Sequence, residues 1–161
     1  MPRAEHMFWV PIAVLCAPAT VQATQYLTVE QAQKALFPEA DGFAATRVGE
    51  LQRAWEASRD GVLLGHVLVD EVIGKQELIT YALGVGVDGA VRNVEIMDYR
   101  ESRGGEVRDA RWREQFKGKR STSPLRLEED IQNISGATLS CRHITEGVRR
   151  LLAIHAAALK K

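Results

Sequence analysis

Cysteine is nearly absent: Cys16 and Cys141 are the only two in the chain. Only Cys141 falls in the part that reads as a folded domain, so an internal disulfide framework is excluded there. Neither CxxC nor CxxCH occurs, which argues against a zinc ribbon or covalent haem. An excess of one charge is also missing. Lys plus Arg number 21 and Asp plus Glu number 21, so the formal net charge is zero. No basic field is available to displace counterions, and nucleic acid is not an expected partner. There is no repeat, no low-complexity linker and no G-x-S-x-G elbow that would support a hydrolase built on Ser135 or Ser140. What is present is a hydrophobic fraction of 45% in 161 residues, enough for one packed core plus a short leader.

The first residues read as an export signal over residues 1–23, leaving a single domain at 24–161. Arg3 supplies a weak basic start, Met7 to Ala19 a short apolar run, and Val21-Gln22-Ala23 the small side chains of a cleavage site. The run is shorter than the ~20 residues that span a bilayer, and Pro11 and Pro18 interrupt it. A periplasmic or extracytoplasmic location follows, with an uncleaved anchor as the alternative. Cys16 follows Leu15, where a lipoprotein signal would place a small residue.

Beyond the leader, Ala32, Ala35 and Leu36 share one face of a helix expected over residues 28–37, which Pro38 ends. Short apolar and β-branched runs from Ala44 to Met97 read as strands. Those at 76–87 and 90–98 should pair antiparallel across a tight Asp88-Gly89 turn with positive φ at both central positions. A loop with Gly104-Gly105 then feeds a helix over 107–116, and a long helix runs from near Ser140 to 159. The fold class is α+β, a mostly antiparallel sheet flanked by helices.

The informative segment is Ser135-Gly136-Ala137-Thr138-Leu139-Ser140. Small residues before a helix let the backbone approach a ligand, and the free N–H groups and dipole of the first turn favour an anion such as phosphate. The simpler role for Thr138 and Ser140 is helix N-capping.

Ser135-Gly136-Ala137-Thr138 with upstream Asp130 resembles the flavinylation motif of the FMN-binding domain family, found in periplasmic subunits of the sodium-pumping NADH:quinone reductase and Rnf complexes. The likeness extends to Asp98-Tyr99-Arg100-Glu101-Ser102, Gly104-Gly105-Glu106-Val107, Trp112 and Gln115-Phe116-Lys117-Gly118, and spans residues 60–155. It implies FMN esterified through its phosphate to Thr138 by a flavin transferase, which would read Asp130. Ser140 is then left as the cap. It also implies electron transfer between donor and acceptor proteins that the sequence does not name, in a membrane-associated or extracytoplasmic redox chain. Candidate flavin contacts are Ser135, Gly136, Ala137, Leu139, Ser140, Tyr99, Glu101, Gly104, Gly105 and Trp112, with the ring against Tyr99, Trp112 and Leu139.

Each has a plainer role. Glu101, Gly104 and Gly105 would also suit a solvated turn, Trp112 and Phe116 a core, and Cys141, His143 and His155 packing or surface positions. Arg111, Arg113, Lys117, Lys119 and Arg120 form a basic run that reads as a solvated face, or as a dock for an acidic redox partner or the flavin phosphate. The competing function is a non-redox exported sensory or scaffolding module of the same fold.

Overall fold

Alternating and continuous apolar runs from residue 42 to residue 99 build the centre of the molecule. A computed structural model describes residues 27–159 of the chain; the expected leader, including Cys16, lies outside them. Strands β1 (Gly42–Val48), β2 (Leu51–Arg59), β3 (Val62–Ile73), β4 (Leu78–Gly86) and β5 (Val91–Tyr99) form one sheet in the order β1-β2-β3-β4-β5. Every neighbouring pair is antiparallel. With helices α1 (Val29–Leu36), α2 (Ala110–Arg113) and α3 (Thr138–Ala158), this is the α+β architecture expected.

The two long-range helices lie on opposite faces of the sheet. Helix α1 begins at a capping box, in which Thr28 Oγ1 accepts from the Gln31 N–H and Gln31 Oε1 accepts from the Thr28 N–H. It packs Ala32, Leu36 and the following Phe37 against Ala57, Val67, Val69, Ala82 and Met97. Ile144, Val148, Leu151 and Leu152 of α3 pack on the other face, with Leu68, Tyr81, Leu83, Val94 and Ile96. Covered on both sides, the middles of β3 and β4 are buried at consecutive positions, which is why they read as continuous apolar runs.

Three local expectations change. The single helix over 107–116 is instead a 3₁₀ turn (Gly105–Arg108), α2, and a second 3₁₀ turn (Glu114–Phe116). Asp109 breaks it: its backbone is extended at φ −62° and ψ 129°, and its carboxylate accepts the Arg111 N–H at 2.9 Å, starting a new helix in mid-run. The β4–β5 connection is a three-residue loop, Val87-Asp88-Gly89, in which Gly89 N–H bonds Gly86 O and Gly86 N–H bonds Ala90 O. Only Gly89 takes positive φ, +77°, and Asp88 instead turns its carboxylate back to the Ala90 N–H. The last helix starts at Thr138 rather than near Ser140, which puts Thr138 in the first turn.

Helix α3 is pinned to the sheet at two places. At Gly147 the backbone comes so close that an added Cβ would lie 2.4 Å from Tyr81 Oη and 2.9 Å from Val72 Cγ1. One turn on, Asp70 accepts from Tyr81 Oη at 3.0 Å and pairs with Arg150. Further along, buried His155 meets buried His66 on β3 through Nε2 and Nδ1, 3.1 Å apart. Burial, reinforced by His66, pushes His155 down to about 4, and burial lowers His66 as well.

Gly147→Ala should cost about 1–3 kcal/mol through overpacking against Tyr81, read as a lower urea midpoint with unchanged slope. The histidine pair gives stability a pH dependence of definite sign. The unfolded chain takes up a proton near pH 6.5 while folded His155 does not until about pH 4. Stability is therefore full above the unfolded value and declines as pH falls between the two, by at most about 1.4 kcal/mol per pH unit. Urea titrations at pH 7 and pH 5 should record this loss, and His155→Gln should reduce it.

Candidate functional site

The mouth of α3 is made by a turn that only its glycine permits. Ala137 N–H closes on Ile134 O at 3.0 Å, with Gly136 at φ +85°. The helix follows at once, its N-cap position filled by Ala137, and no side chain caps it. The first backbone bond within it runs from Cys141 N–H to Ala137 O, so the amides of Thr138, Leu139 and Ser140 have no acceptor inside the helix. Ser140 is not the cap expected of it: its side chain turns inward, is buried, and bonds Tyr99 Oη at 3.1 Å. Thr138 is half-buried, and its Oγ1 accepts from Asn133 Nδ2 at 3.0 Å. The other end of that amide, Asn133 Oδ1, is buried without a partner.

A fault in strand register delivers Tyr99 to this point. Between Thr80 and Tyr81 the β4–β5 pairing slips by one, so that Tyr81 faces Ile96 while Ile79 faces Tyr99. The extra residue puts Tyr99 on the α3 side of the sheet together with Ile96, three positions earlier, where strict alternation would send it to the opposite face. Tyr99 Oη donates to Arg103 O at 2.5 Å and takes the Ser140 hydroxyl. Gly104 fits between the two segments at φ +83°; a Cβ there would lie 2.6 Å from Tyr99 Oη and 2.7 Å from Ala137 Cβ. The Gly-Gly loop and the Ser-Gly-Ala-Thr turn are thus in direct contact.

Thr138 stands between two clefts. One, of about 370 Å³, is lined by Lys75, Gln76, residues 101–103 and residues 136–140. It adjoins a wider one of about 760 Å³ between residues 102–106, Arg108, Asp109, Ser135 and Gly136. On the far side, a cleft of about 180 Å³ separates loop 125–128 from Thr138, Arg142, Thr145, Glu146 and Arg149. Leu139, 41% exposed, borders the first cleft and offers it an apolar surface.

The expected site residues divide accordingly. Ser135, Gly136, Ala137, Leu139, Ser140, Glu101, Gly104 and Gly105 come together around Thr138. Glu101 Oε1 accepts the N–H groups of Lys75, Gln76 and Glu77, which hold its carboxyl below the usual range and make it the clasp of the β3–β4 turn. Tyr99 and Trp112 are each only 5% exposed, with their polar atoms committed. Trp112 stacks edge-on against Phe116, donates Nε1–H to Gln132 O at 2.8 Å, and borders a separate cleft. Both rings act on the site through the loops they hold.

Asp130 accepts from Lys119 Nζ at 2.8 Å and from the Leu125 and Arg126 amides. Burial raises its carboxyl, but these bonds outweigh that and hold it below the usual range. The basic run is divided: Arg111, Lys117 and Arg120 are exposed, as a solvated face requires, while Arg113 pairs with Glu95, Lys119 with Asp130 and Arg120 with Asp88. Sequence reading passed over Asn133, an amide set between Ile131 and Ile134, and Arg142, four residues after Thr138 on the same helix face. The i to i+4 spacing was the signal for the second.

Residues 74–153 match the family model described as the FMN-binding domain. The chain belongs to this family. FMN is therefore its cofactor, and the resident groups fit it: a hydroxyl on the rim of open clefts, uncapped helix amides, and the Asn133 Nδ2 donor 3.0 Å from that hydroxyl. Among solved structures, the crystal structure of Shewanella oneidensis NqrC is similar at 21% identity and a TM-score of 0.49, over 73% of this chain and 63% of that one. The chain thus spans less than two thirds of the length of that protein. A search of curated proteins found no match.

In this FMN-binding domain, Gly104→Ala should cost about 1–3 kcal/mol from overpacking, with left-handed strain added. The melting temperature would fall, and amide exchange at residues 135–140 would quicken more than in β3. Equal protection of both regions would show that the Gly104 contact does not hold the turn.

Proposed function

We propose that this FMN-binding domain carries its flavin covalently, as a phosphoester on Thr138, and passes electrons outside the cytoplasm. The observation that carries the reading is the position of Thr138 Oγ1. It lies in the first turn of α3, half-exposed between two clefts, beside helix amides that no side chain caps. A phosphate placed there meets the unbonded N–H groups and the positive end of the helix dipole, which stabilise an anion by roughly 0.3–1 kcal/mol at an exposed site. That affinity alone would not retain a cofactor, and a covalent bond does. In the attachment, Thr138 Oγ1 bonds to the phosphorus and gives up its proton, as a transferase cleaves FAD and AMP leaves.

When bound, FMN supplies one- and two-electron redox chemistry. The chain's own groups supply the rest. Gly136 sets the turn, the amides of the first helical turn face the phosphate, and Leu139 offers an apolar surface beside the cleft. Tyr99 and Gly104 keep the two loops together. Asp130 supports recognition by the transferase by fixing the loop that precedes the turn. Export rests on the leader at residues 1–23, and electron exchange would be with protein donors and acceptors in a membrane-associated chain.

Protein coexpressed with a flavin transferase should stay yellow after denaturation, with one FMN on the peptide containing Thr138. Thr138→Ala should lose all covalent flavin while keeping its melting temperature within a few degrees. Colourless wild-type protein with Thr138 bare would favour a non-redox scaffolding module.

A further inference from the structure

Thr138, Arg142, Thr145 and Arg149 follow one another along a single face of α3, at intervals of four, three and four residues. Side chains on a helix lean toward its N-terminus, so Arg142 lies over Thr138. Among the described residues, Arg142 and Arg149, like Arg47, Arg103 and Arg111, have no side-chain hydrogen-bond or ion-pair partner, whereas Arg53, Arg92, Arg120 and Arg150 are each paired with a carboxylate. Arg142 and Arg149 border the 180 Å³ cleft that Thr138 also lines.

The opposite wall of that cleft is held in an unusual shape. Leu125 and Glu128 have φ of +46° and +68°, a region that side-chain-bearing residues seldom occupy. Asp130 accepts the amides of Leu125 and Arg126 at 3.2 and 2.8 Å, and the Glu128 N–H bonds Ile131 O at 2.7 Å. Arg142 and Arg149 share the cleft with the carboxylates of Glu128 and Glu146, while Arg126 is paired with Glu129.

We propose that Arg142, with Asn133, holds the phosphoryl group carried by Thr138. This rests on the reading that Thr138 bears the flavin. A phosphate joined to two alcohols keeps one negative charge at neutral pH, and a guanidinium can grip its two free oxygens in parallel. Asn133 serves the bridging oxygen. A free Thr138 hydroxyl can donate or accept, but once esterified it has no proton and can only accept, and Asn133 Nδ2 lies 3.0 Å away as the matching donor. Arg149 stands behind Arg142 and adds charge to the same cleft.

The test compares wild type, Arg142→Gln, Arg142→Lys and, as a charge control on β1, Arg47→Gln. Each is prepared bare and loaded with FMN by transferase, with occupancy of Thr138 read by peptide mass spectrometry. Bare Arg142→Gln should melt with bare wild type. Loading should raise the wild-type melting temperature, Arg142→Gln should lose at least half of that rise, and Arg142→Lys should recover part of it. The ³¹P resonance of the loaded protein should move in Arg142→Gln and stay in place in Arg47→Gln. Failure of Arg142→Gln to accept FMN while Arg142→Lys accepts it would support the same assignment. Equal melting increments and an unmoved ³¹P resonance, with FMN present on Thr138, would overturn the role of Arg142 alone. A bare Thr138 in wild type would overturn the underlying reading and this one together.

Discussion

Tyr99 Oη donates to the carbonyl of Arg103 and takes the hydroxyl of Ser140, and this junction joins the end of the sheet to a helix 41 residues further along the chain. Without it the Gly-Gly loop and the Ser-Gly-Ala-Thr turn would share only van der Waals contact through Gly104 and Ala137. The junction exists because of the register slip in β5, which changes the face on which Tyr99 emerges. A backbone irregularity at the sheet's edge therefore decides where the first turn of α3 stands.

Acidic side chains do the building around this point. Glu101 gathers three amides of the β3–β4 turn, Asp130 shapes the loop before the motif, and Asp109 restarts a helix. All three convert charge into loop geometry, since a carboxylate accepting backbone N–H groups gains more than a neutral acceptor would. The cations divide differently. Arg113, Lys119 and Arg120 are consumed in ion pairs, while Arg142 and Arg149 face the cleft beside Thr138.

Much of this was legible in the residues. Thr28 and Pro38 bracket α1, the apolar runs give the strands, and Asp88-Gly89 marks the β4–β5 connection. The motif at 135–138 stood out by its resemblance to the flavinylation motif together with the Gly-Gly loop, Trp112 and helix start around it. What escaped was direction. Periodicity assigns Trp112 and Phe116 to a common face but cannot tell that Asp109 interrupts the helix beneath them. Ser140 looks like a cap because serine caps helices, yet the slip in β5 offers it a phenol instead. Arg111, Lys117 and Arg120 are exposed as their sequence suggests, but the pairing of Arg113 and Lys119 escaped because Glu95 and Asp130 lie on another strand and a separate loop. Alternation along β5 likewise gives no hint of its own fault.

Helix α3 is fastened well away from its first residue, at Gly147 against Tyr81 and at His155 against His66, and its mouth is fastened again by Ser140. The Cα of Thr138 therefore behaves as a hinge pin set in a rigid frame. Under the proposed attachment, a group on that side chain would start from a backbone position fixed at both ends of the helix, so its placement would be set by the bonds beyond the Cα and by what grips its phosphate.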